Sequence, residues 1–74
     1  MFTVTLQKLF AQTKSIDDLL EQLNDIQSRG VKQLDGPYHS RIDIEFIIST
    51  INKMRFDHSK DDIYKTIVYV ETGH

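Results

Sequence analysis

Seventy-four residues with no cysteine, eleven acidic and nine basic side chains and a formal net charge of −2 make one small domain. The composition excludes disulfide staples and thiolate metal sites, and without clustered lysine and arginine there is no surface built to grip a phosphate backbone. No apolar run is long enough for a signal peptide or a membrane span, so the expected setting is the cytoplasm.

Residues 2–6 alternate, with Phe2, Val4 and Leu6 on one side and Thr3 and Thr5 on the other, which predicts a strand over 2–8. Leu9 and Phe10 break the alternation and, with Leu6, could open a short helix instead. Ile16, Leu19, Leu20, Leu23 and Ile26 recur every three or four residues and predict a helix over 15–29. Ser15 with Asp18 three residues on is a capping-box variant. Asp17 and Asp18 suit the positive end of the helix dipole. Arg29 lies in the last turn, and Gly30 supplies the left-handed position beyond it.

Asp35-Gly36-Pro37 signals a turn. After it, Ile42, Ile44, Phe46 and Ile48 alternate with Arg41, Asp43 and Glu45, which predicts a half-buried strand over 41–48. A competing helix capped by Ser40 would turn Ile44, Ile47, Ile48, Ile51 and Met54 inward and leave Ile42 and Phe46 in water. On the strand reading, Asn52-Lys53 turns a hairpin into a short strand at Met54–Phe56. Ser59-Lys60-Asp61-Asp62 is a second helix start. Ile63, Ile67 and Val70 have helical spacing, yet Tyr64, Thr66, Val68 and Val70 would share one face of a strand, so 60–71 stays open.

Catalytic patterns are missing. His39, His58 and His74 lack metal-ligand spacing. Asp57-His58-Ser59 contains the residue types of a hydrolase triad, but neighbours in sequence cannot line up as nucleophile, base and orienting carboxylate. The three glycines are isolated, so there is no phosphate loop. Neither enzyme activity nor a cofactor is expected. What remains is surface. Asp17, Asp18, Glu21 and Asp25 cover an arc of roughly 100° opposite the leucine stripe. Asp57, Asp61 and Asp62 form a second acidic group. Such faces are ordinarily just solvated. The sharper reading is a negative ridge that docks into a basic groove and loses affinity as salt rises. Gln7 with Leu9-Phe10, and Gln33-Leu34-Asp35, are half matches to the peptide that docks on bacterial sliding clamps; large apolar residues such as Leu9 and Phe10 are more often core.

In order, the elements read strand, helix, strand, short strand and a last element that could be a helix. The chain resembles the DinI-like family of small bacterial proteins that modulate the recombinase RecA. The resemblance runs through Phe2-Thr3-Val4-Thr5-Leu6-Gln7-Lys8, Ile16-Asp17-Asp18-Leu19, Arg41-Ile42-Asp43-Ile44-Glu45-Phe46, Asn52-Lys53-Met54-Arg55-Phe56 and Ser59-Lys60-Asp61-Asp62. Family members end in a strongly acidic helix that contacts the recombinase and finishes near a tryptophan. After Asp62 this chain has one acid, Glu71, two tyrosines and no tryptophan.

The expected fold is α+β: a sheet of three or four strands covered by the 15–29 helix, with an all-α domain of four helices near 3–12, 15–29, 41–55 and 60–70 as the alternative. The expected function is a non-enzymatic interaction protein that modulates or inhibits a recombination or replication machine. It would use Asp17, Asp18, Glu21, Asp25, Asp61 and Asp62 against a partner's basic DNA-binding surface, without contacting nucleic acid or membrane itself. The resemblance implies a recombinase partner. A phage-type inhibitor of a host sliding clamp is the neighbouring reading, and a self-associating adaptor, in its simplest form a homodimer, is the third.

Overall fold

The computed structural model describes residues 5–72. Thr5 is extended, and its hydroxyl accepts the Lys8 N–H at 3.1 Å, which caps helix α1 (Leu6–Gln12). Leu6, Leu9, Phe10 and Thr13 follow at helical spacing and all four are buried. An extended chain would turn Leu9 away from Leu6 and Phe10, so the strand expected over 2–8 gives way to helix from Leu6 onward. Residues 2–4 of that strand lie outside the described residues, and Thr5 makes one isolated parallel bridge to Asp35.

Helix α2 (Ile16–Ser28) lies within the predicted bounds. Ser15 Oγ accepts the Asp18 N–H at 3.1 Å, and Asp18 Oδ2 accepts the Lys14 N–H at 3.0 Å. At the other end Gly30 adopts φ 90° and donates its N–H to the Gln27 carbonyl at 3.0 Å. Leu19 and Leu23 are fully buried, with Ile16, Leu20 and Ile26 packed around them.

Strands β1 (Gln33–Asp35) and β2 (Arg41–Asp43) form an antiparallel pair with Leu34 opposite Ile42. Both of these point into the core, and the charged or polar residues flanking them point out. The connection tightens into a 3-10 turn (Pro37–His39), where Tyr38 and His39 hold left-handed backbone at φ 59° and 60°. Gly36 donates its N–H to the Ser40 carbonyl at 2.9 Å. A Cβ there would stand 2.7 Å from Ile42 Cδ1 and from Ser40 Oγ, so any larger residue must displace the ends of those two side chains.

The strand expected over 41–48 is cut short. Only 41–43 is extended; helix α3 (Ile44–Met54) begins directly after Asp43. Changing period at this point buries Ile42 from the strand and Ile44, Ile47 and Ile51 from the helix, with Phe46 half-buried. Neither regular element alone could bury all of them. The hairpin expected at Asn52-Lys53 and the strand expected at Met54–Phe56 are absent: Met54 ends α3 and residues 55–57 form a turn.

Helix α4 (Lys60–Thr72) settles the open C-terminal segment. Ser59 Oγ accepts the Asp62 N–H at 3.1 Å, and Ile63 and Ile67 are fully buried. Thr66 and Thr72 donate their hydroxyls to the Asp62 and Val68 carbonyls at 3.0 and 2.6 Å, so each hydroxyl is satisfied within the helix. α4 packs on α3, α1 and the 3-10 turn. Helical residues, the 3-10 turn included, make up 69% of the described chain. Among the described residues the expected sheet of three or four strands is therefore replaced by a two-stranded one, and the architecture is helix-rich α+β.

Candidate functional site

The first turns of α2 and α4 carry Asp17-Asp18 and Asp61-Asp62, and both helices start beside the C-terminus of α1. Lys60, the first residue of α4, reaches across to the C-terminus of α1, where Nζ donates to the Thr13 carbonyl at 2.5 Å and to its hydroxyl at 3.2 Å. Thr13 immediately precedes Lys14, whose N–H is held by Asp18. From the end of α3, Arg55 pairs with Asp17. The end of α1 and the starts of α2 and α4 thus adjoin at one pole of the molecule, to which the end of α3 is tied through Arg55.

The six predicted carboxylates fare differently there. Asp17 is exposed and paired with Arg55. Asp18 is held below its ordinary 3.8, first by the Lys14 N–H and then by the Gln22 amide; desolvation opposes them, and the charges of Lys14 and Lys60 add smaller lowering effects. Glu21 is exposed one turn along α2 and makes no ion pair among the described residues. Asp25 lies a further turn away from the pole and closes on Arg29 at 3.3 Å. Asp61 closes on Lys65 at 3.1 Å. Asp62 is exposed, and no described cation meets its carboxylate. Asp17 and Asp18 are thus held within the pole, Asp61 and Asp62 stand on the α4 turn that begins there, Glu21 lies one turn and Asp25 two turns along α2.

Sequence reasoning missed three residues of this pole. Its alternation assigns Arg55 and Phe56 to a strand, and it gives Lys60 no role beyond a helix start. A signal existed: on the competing helix reading, Phe56 falls off the Ile44-Ile47-Ile51 stripe. Phe56 is in fact 87% exposed, with the Arg55 guanidinium 5.2 Å from its ring centre.

Elsewhere the surface offers less chemistry. A cleft of about 260 Å³ between α1 and α4 is lined by Gln7, Phe10, Ala11, Lys60, Asp61 and Tyr64. Its rings meet edge to face at 5.4 Å, but its ammonium is committed to Thr13 and its carboxylate to Lys65. Burial, and secondarily the Tyr38 phenol, push the Tyr64 hydroxyl up from its ordinary 10.0. His58 and Asp57 lie in the exposed turn before α4, and Ser59 is occupied as its cap; His74 lies outside the described residues. Among the described residues no three His, Cys, Asp or Glu side chains could share a metal ion, and no helix is long and apolar enough to cross a membrane. Leu9, Phe10 and Leu34 are buried, so neither half match to the clamp-docking peptide is displayed.

Compared with protein-family models, curated proteins and solved structures, the chain matches none.

Proposed function

We propose that this chain is a non-catalytic binding domain that sets its acidic pole against a basic surface of a protein partner, and so modulates or inhibits a machine that otherwise holds DNA there. The observation that carries the reading is that the acidic first turns of α2 and α4 both start beside the C-terminus of α1, through the Lys14–Asp18 and Lys60–Thr13 contacts. The reading takes the carboxylates of both turns as one patch, with Glu21 and Asp62 left for an outside cation. The local pairs do not close the patch: exposed ion pairs contribute about 0.2–1 kcal/mol each, little enough to be exchanged for a partner's lysines and arginines. The resemblance to RecA modulators is the reason to test a recombinase first, and basic DNA-binding surfaces in general are the reason to test a sliding clamp second.

Glu21→Lys with Asp62→Lys should weaken binding to the responsive partner at least tenfold at low salt and flatten its salt dependence. Asp25→Lys, away from the pole, should change affinity less than threefold. Equal loss from both, or none from either, rejects the reading. Self-association has less support. Val70 continues the Ile63-Ile67 stripe yet is 60% exposed, next to Tyr69 at 59%. Two side chains fall far short of the roughly 800 Å² per partner of a stable interface.

A further inference from the structure

One ion pair among the described residues is unlike the others. Asp25–Arg29 and Asp61–Lys65 join residues four apart on one helix, and Asp35–Arg41 joins the two strands of the hairpin. Their cations stand in water, with side chains 71%, 72% and 74% exposed. Arg55 instead reaches Asp17 from 38 residues away in the chain, and its side chain is only 27% exposed. The guanidinium lies 5.2 Å from the Phe56 ring centre, so an aromatic face shelters the cation that the Asp17 carboxylate holds. A guanidinium suits that place, because it is weakly hydrated and pairs with both a carboxylate and a ring. The backbone beneath it is fixed as well: the Asp57 and His58 N–H groups both donate to the Met54 carbonyl, at 3.1 and 3.0 Å.

We infer that Arg55 is an intramolecular occupant of the acidic pole, holding the position on Asp17 that a partner's cation would otherwise take. This rests on the pole being the docking surface. Asp17 is the carboxylate of the pole that is paired with a cation from another helix, so a docking lysine or arginine gains it only by displacing Arg55. Until that exchange occurs, the positive charge of Arg55 opposes a basic partner. Removing Arg55 therefore strengthens binding. A purely structural Arg55, a tie between the end of α3 and the start of α2, makes the opposite expectation: its loss would loosen the pole and weaken binding.

A hexa-arginine peptide probes the pole without an identified partner. It is titrated at low salt into the full isotopically labelled chain while the amide signals of residues 14–21 and 55–62 are followed. Arg55→Gln should bind the peptide about threefold tighter than the parent, the scale of one exposed ion pair, and adding Asp17→Asn should remove the gain. Arg41→Gln makes the same change in net charge on β2 and should leave the affinity unchanged. No gain from Arg55→Gln, a loss, an equal gain from Arg41→Gln or a gain that survives Asp17→Asn would overturn the inference. The unaltered chain gives a second readout that depends on no variant folding. Its Arg55 Nε–H signal should move toward that of free arginine as the peptide is added, and a signal that stays in place while the pole saturates would overturn the exchange. The two readings fail separately: if the peptide perturbs the pole equally in the parent and in Arg55→Gln, the masking is wrong and the acidic pole stands, whereas no perturbation in either removes both.

Discussion

Asp18 shows how much one side chain of the pole does within the fold. Its carboxylate closes the turn before α2 by accepting the Lys14 N–H, and its own N–H is held by Ser15. Because the folded state holds this carboxyl below 3.8, its contribution is present above that pH and is lost as pH falls through the lowered value. Asp18→Asn should therefore flatten the acid limb of thermal stability below about pH 4; an unchanged limb would show that the Lys14 contact does little. Lys60 is the complementary case. Its ammonium satisfies a carbonyl at the end of α1, and Lys60→Met should cost about 1.5–3 kcal/mol in urea unfolding, the range for hydrogen bonds to charged groups. At the other end of the molecule, Gly36→Ala should cost about 1–3 kcal/mol, because the new methyl overlaps Ile42 and Ser40. Full stability in that variant would contradict the tight closure between β1 and β2.

Among the elements, α2 is the most legible in the sequence, because cap, stripe and glycine stop all agree there; Arg29, expected in the last turn, is the C-cap. Residues 41–54 mislead for a definite reason. Two periods overlap at Ile42-Asp43-Ile44, and the chain changes from one to the other between Asp43 and Ile44, a switch that depends on the β1 partner strand. That strand hides in Gln33-Leu34-Asp35, three residues whose only local signal is one leucine between polar neighbours. The last segment reads both ways because valine, threonine and tyrosine favour strands, and only the core contacts of Ile63 and Ile67 decide for helix. Far-UV circular dichroism should report about two thirds helix, beyond the usual share of about one third in globular domains. A value near one third would restore the strand reading and contradict α3 as described.

At the scale of the whole molecule, the acidic residues are visible in the sequence, but their grouping is not. The sequence suggests one ridge along α2 and a separate cluster before α4. The fold instead starts both helices beside the C-terminus of α1 and leaves Asp25 two turns along α2, because Lys60 and Arg55 bridge between elements far apart in the chain. Long-range contacts of that kind leave no local signature. Titrating the isotopically labelled chain with a purified recombinase, and then with a sliding clamp, and following backbone amide signals tests the central claim most directly. If the acidic pole docks on a basic surface, one of the two should perturb residues 14–21 and 55–62 first, with the perturbation fading as salt rises. Binding to neither, or shifts confined to the hairpin and the far end of α4, would contradict it.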